Sequence, residues 1–145
     1  MDRQSKVDEL IEVIKVECDL ANALRDISEE KRKALLDMDG PALAGCTGRE
    51  LEIIGPLQAL EQERIRRSAD LDRSLRDRQS GPAGEGEPEL MKLEAIKEQL
   101  RSIVREILTA NELNRILLEH SREYIRENLR LVTGNFVLQL VDRKG

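Results

Sequence analysis

The sequence predicts an all-α protein: three long helices forming an elongated antiparallel coiled-coil or helical bundle, followed by a flexible C-terminal tail. Three observations carry this expectation. Among 145 residues only Tyr124 and Phe136 are aromatic and none is tryptophan, so strand formers are scarce and no large rigid side chains are available to shape a pocket. Charged residues make up 37% of the chain and hydrophobic ones 39%, a balance that suits apolar stripes along helices better than a filled sphere. Twenty-two leucines accompany abundant Glu, Lys and Arg, the composition of long helices.

The first helix is predicted over about 5–38. Val7, Ile11, Ile14, Cys18, Ala21, Leu24, Ile27, Leu35 and Met38 recur at helical spacing, with charged residues on the other face. Ser5 with Asp8 resembles a capping box. Asp39-Gly40-Pro41 should end the helix, because glycine accepts a left-handed turn and proline disfavours helix in the residue before it. Proline then suits the first turn of the second helix, predicted over about 41–78 with Leu43, Cys46, Ile53, Ile54, Leu57, Leu60, Ile65, Leu71 and Leu75 as its apolar positions. Gly55-Pro56 should kink it, since Pro56 removes the bond to the Glu52 carbonyl at about 3 kcal/mol, and Thr47 with Glu50 offers an alternative start.

Residues 79–88 hold three glycines, two prolines and no large apolar side chain, which predicts a flexible linker. Its glycines match neither a dinucleotide-binding nor a P-loop pattern. The third helix, about 89–132, carries Leu93, Ile96, Leu100, Ile103, Ile107, Ala110, Asn114, Leu117, Ser121, Tyr124, Asn128 and Leu131 in alternating steps of three and four. A second apolar line runs through Val104, Leu118, Ile125, Leu129 and Val132. A helix of that length needs partners along its course. Thr133-Gly134-Asn135 reads as a stop, leaving residues 133–145 as the tail after a single helical domain at 1–132.

Charge and motifs exclude several functions. A net charge of −5 argues against a nucleic-acid partner, whose affinity rests on neutralising phosphates. The opening residues lack the apolar core of a signal peptide, and no run approaches the roughly 20 apolar residues of a membrane span, so a cytoplasmic protein without membrane insertion is expected. His120 is the sole histidine and sits among Arg and Glu in a helix, far from any nucleophile turn, so no catalysis is expected. Neither a metal site nor a cofactor site is evident, as Cys18 and Cys46 lack ligand spacing. In a hairpin turning near Gly40, Cys18 lies level with about residue 62, roughly 24 Å along the axis from Cys46, which rules out a disulfide between them.

Arg64, Arg66, Arg67, Arg73, Arg76 and Arg78 form a basic stretch that reads either as a solvated face or as a dock for phosphate or an acidic partner. Asn111 and Asn114 interrupt the third-helix seam, either setting register or hydrogen-bonding a partner helix. Phe136-Val137-Leu138-Gln139-Leu140-Val141 is an apolar hexamer that either folds back on the bundle or is covered by another protein.

In their order along the chain these elements resemble the FlgN family of flagellar export chaperones. The resemblance covers roughly residues 7–132 and rests on four features: an amphipathic first helix, a second entered through Met38-Asp39-Gly40, the stretch Leu57-Gln58-Ala59-Leu60-Glu61-Gln62-Glu63-Arg64, and a long third helix with Asn111-x-x-Asn114-x-x-Leu117-Leu118. Gly55-Pro56 and Thr47-Gly48 depart from the family pattern. The resemblance implies a cytoplasmic chaperone in bacterial flagellum biogenesis. Its partners would be the hook-filament junction proteins (hook-associated proteins of the FlgK and FlgL type), bound through their terminal helices, and the flagellar type III export apparatus. Carried onto this chain, substrate binding falls on Asn111, Asn114, Leu117, Leu118, Tyr124, Ile125, Leu131, Val132, Phe136, Val137, Leu138, Leu140 and Val141. The alternative is a structural homo-oligomeric coiled-coil protein whose third-helix seam pairs with itself.

Overall fold

Three helices account for the computed structural model, which describes residues 2–77 and 87–144, with side chains up to residue 130 apart from Asn128. Helix α1 spans Arg3–Leu36, α2 spans Gly40–Asp77 and α3 spans Glu87–Lys144. The all-helical expectation holds, and the bounds shift for local reasons. Asp2, and not Ser5, caps α1: its carboxylate accepts the Ser5 N–H at 2.7 Å, a charged acceptor at the positive end of the helix dipole. Of the expected linker 79–88, residues 79–86 lie outside the described residues. Glu87 and Pro88 open α3, where a proline is tolerated because first-turn N–H groups have no intrahelical partner.

The turn between α1 and α2 is tighter than expected. Met38 N–H donates to the Leu35 carbonyl at 3.2 Å and Asp39 N–H to that of Ala34 at 2.8 Å, the paired bonds of a Schellman motif. Its left-handed position is therefore Met38, with φ of 53°, and not Gly40. Asp39 then caps α2, its carboxylate accepting the Ala42 N–H at 3.1 Å, so Gly40 and Pro41 already belong to the helix. Pro56 lies inside an α2 that runs unbroken, and the alternative start at Thr47 is not used: the Thr47 hydroxyl instead donates to the Leu43 carbonyl one turn back.

Ion pairs give the register. Lys6 with Asp70, Glu9 with Arg67, Glu17 with Arg64, Glu30 with Arg49 and Lys31 with Glu50 join α1 to α2 in an antiparallel hairpin. Cys18 lies at the level expected from a turn near residue 40, and both cysteines are buried free thiols. Arg25 with Glu106, and Ser28 with Asn111 and Asn114, set α3 parallel to α1 and antiparallel to α2. Helix α1 packs on both neighbours, whereas α2 and α3 make no backbone approach to each other among the described residues.

This central position explains which residues are buried. Val7, Leu10, Ile14, Cys18 and Ala21 from α1 form one core with Leu71 from α2 and Leu93, Ile103 and Ile107 from α3. Leu10, Glu17 and Ser28, absent from the expected apolar stripe, are buried as well. A helix flanked on two sides buries two adjacent heptad lines, and 7-10-14-17-21-24-28 is the second of them. Among the described residues the backbone of α2 approaches only α1, and just Cys46 and Leu71 of its residues are buried.

The helical backbone of α3 passes through Thr133-Gly134-Asn135, where a stop was expected, and continues to Lys144. A glycine costs about 1 kcal/mol relative to alanine in a helix, which is too little to end one when no proline follows.

Candidate protein-binding site at the end of the bundle

The α3 seam is used as the heptads predict until α1 runs out. Leu93, Ile103, Ile107 and Asn114 are buried, and Leu117 and Ser121 are half-buried. At Tyr124 the seam opens to solvent, with 58% of that residue exposed. Leu35, Met38 and Leu43 at the hairpin turn stand level with Leu118, Ser121 and Ile125. Nineteen residues of α3 lie beyond Ile125, so the helix overshoots the hairpin by about 28 Å at 1.5 Å per residue. No described residue of α1 or α2 lies alongside that overhang.

The overhang starts from an apolar groove of about 150 Å³ walled by three helices. Ala34 and Leu35 come from the last turn of α1, Met38 from the turn, Leu43 from the first turns of α2, and Leu118 and Ile125 from α3. Leu118, Tyr124, Ile125 and Leu129 remain exposed, a run of large apolar side chains beside and beyond the groove.

The two asparagines both meet α1 at Ser28. Asn114 is buried and its amide donates to the Ser28 carbonyl at 2.7 Å, while its Oδ1 is buried with no partner among the described residues. Asn111 is exposed, and its Oδ1 lies 3.1 Å from Ser28 Oγ. This polar layer ties α3 to α1 one level below the groove and specifies their register, since a slipped pairing would strand the buried Asn114 amide. Leu118 and Ile125 come together at the turn, while Leu117 is half-buried and Tyr124 exposed. Leu131, Val132, Phe136, Val137, Leu138, Leu140 and Val141 have helical backbone, and their side chains lie outside the described residues.

The hairpin-turn wall was missed from sequence. Its one legible signal is a methionine at a turn, between two aspartates, where glycine or asparagine would be usual.

Electrostatics around the groove are those of a solvated helix. Arg115 pairs with Glu112 at 2.7 Å and Glu119 at 2.6 Å, and the guanidinium holds the Glu112 carboxyl below the ordinary range. His120 is exposed on the same stretch. Deeper in the bundle, burial pushes the Glu17 carboxyl above its ordinary value although the Arg64 Nε–H donates to both its oxygens, at 2.9 and 3.1 Å. Burial likewise raises the Cys18 thiol, with Glu17 and Asp19 adding to it. Among the described residues no three potential metal ligands converge, and no helix is long and apolar enough to cross a membrane.

Comparison with known families matches the chain to the family described as FlgN protein, over residues 1–139. Neither the curated proteins nor the solved structures include a match. The matched span covers α1, α2 and α3 as far as residue 139, past Ile125 into the overhang.

Proposed function

Since this chain belongs to the FlgN family of flagellar export chaperones, we propose that it binds hook-filament junction proteins of the FlgK and FlgL type in the cytoplasm and delivers them to the flagellar type III export apparatus. One observation carries the reading: α3 leaves the α1–α2 hairpin with its apolar seam uncovered, and Leu118, Tyr124, Ile125 and Leu129 are exposed there. A terminal helix of the partner laid along this seam restores the neighbour that α1 supplies lower down. The partner helix starts from the groove at Met38 and Leu43 and covers the seam toward Phe136–Val141, burying apolar surface on both chains. Binding and release then depend on exchange with the export machinery.

The same uncovered seam favours a second reading, self-pairing of the overhangs in a homodimer. Light scattering of the chain with and without a hook-associated protein separates the two. The chaperone reading expects a one-to-one complex. Self-association that ignores the added protein supports the coiled-coil scaffold and overturns the chaperone.

A further inference from the structure

The opening between α2 and α3 is a second surface with its own chemistry. These helices flank α1 without approaching each other, which leaves a groove of about 450 Å³ midway along the bundle. Four cations line it, Arg64 from α2 and Lys97, Arg101 and Arg105 from α3, and no carboxylate does. Among the described residues three carboxylates pair with them: Glu17 with Arg64, Glu94 with Lys97, and Glu98 with both Arg101 and Arg105. Arg64 reaches Glu17 through Nε alone, and no hydrogen bond involves its terminal amines among the described residues. The groove therefore keeps a positive surplus on an acidic protein.

Between the cations the lining is apolar. Leu100 is half-buried and Val104 is 42% exposed, and Leu108, one turn further along the same line of α3, is 63% exposed. On α2, Ile53, Ile54, Leu57 and Leu60 are half-buried and Ile65 is 50% exposed, so this helix is only partly covered by its single neighbour. An apolar floor between two helices with a cationic rim is the complement of an amphipathic helix whose apolar stripe is flanked by carboxylates. Aromatic side chains are absent from the lining, which removes the stacking platform that a nucleic-acid strand would use.

We propose that the α2–α3 groove docks an acidic amphipathic helix of a partner protein as a fourth helix, at a surface separate from the end of the bundle. Arg64, Arg101 and Arg105 take its carboxylates, and Leu100 and Val104 its apolar stripe. The surface stands on its own observations and holds whether or not the overhang binds hook-associated proteins.

The test uses the full chain and two labelled synthetic helical peptides of equal length, both with leucine at heptad a and d positions, one flanked by glutamate and the other by lysine. Fluorescence anisotropy should show the glutamate peptide binding about tenfold more tightly than the lysine peptide, with affinity falling as salt rises. The double variant Arg101→Glu, Arg105→Glu should reverse that preference. Both side chains are more than half exposed, so an unchanged thermal melt is expected to certify its fold. Ile125→Asp, at the far site, should leave the affinity within twofold. Equal binding of the two peptides, an unchanged affinity in the double variant, loss of binding in Ile125→Asp, or displacement of the glutamate peptide by a single-stranded oligonucleotide would each overturn the proposal.

Discussion

Met38 occupies a backbone conformation that side chains with a Cβ disfavour by about 1–2 kcal/mol, at a position where many helices place glycine. What the side chain supplies is one wall of the apolar groove. Met38→Gly should therefore stabilise the fold by about 1 kcal/mol in urea denaturation while weakening partner binding at the end of the bundle. A loss of stability would mean that the methionine's packing outweighs its strain. Glu17 sets a second residue-level test. Its folded pKa is raised by burial, so the folded state holds its proton more tightly than the unfolded one. The contribution of Glu17 is fully present below the ordinary carboxylate range and is lost as pH rises through the raised folded value. Exposed Glu30, Glu63, Glu98 and Glu112 act in the opposite sense, their carboxyls lowered by hydrogen bonds from arginine. Glu17→Gln removes only the contribution of Glu17, so the variant should gain stability relative to the parent as pH is raised from about 4 to 7. A gap between the two denaturation curves that stays constant with pH would show that Glu17 does not titrate in this window.

At the scale of the element, α2 is the weakest helix by its own sequence. Pro56 lies in its interior, and Gly45, Gly48 and Gly55 have open space where a Cβ would sit. Proline costs about 3 kcal/mol and glycine about 1 kcal/mol relative to alanine at such positions. The helix persists because Leu71 joins the shared core and ion pairs along its length hold it to α1. Gly55→Ala should add about 1 kcal/mol and Pro56→Ala up to about 3 kcal/mol, measured by chemical denaturation. Amide exchange should slow through residues 52–60 in both variants. If Pro56→Ala is neutral, the helix has already relaxed around the missing bond.

For the whole molecule the governing fact is a mismatch of lengths. Helix α1 has 34 residues and α3 has 58, and because the two run parallel from nearly the same level, the excess projects at one end. That geometry separates stability from binding. The core cluster lies in the half of the bundle holding Val7 to Ala21 and Leu93 to Ile107, far from the overhang. Deleting residues 133–145 should leave the melting temperature nearly unchanged and weaken binding of a hook-associated protein about tenfold or more, read by calorimetric titration. An unfolded deletion variant whose remaining folded fraction binds with full affinity would place the last segment in the core and not in the interface.

The three helices, the approximate ends of α1 and α2 and the α3 seam are legible in composition and heptad spacing, because apolar periodicity is a local property of a helix; the end of α3, expected at about 132, is not. The level of Cys18 on the hairpin follows equally simply from rise per residue. Spacing cannot say where a seam loses its neighbour. Tyr124 continues the same three-four rhythm as Leu117, yet one is exposed and the other half-buried, because α1 stops at Leu36. Nor does a single-stripe reading find Leu10, Glu17 and Ser28, which are buried because α1 is packed from two sides. The end groove needs Leu35, Met38 and Leu43 beside Leu118 and Ile125, residues up to 90 positions apart that meet only when α3 runs parallel to α1. Periodicity thus determines which face of each helix seeks a neighbour. Helix lengths and packing order, which are relations between elements, determine which faces find one.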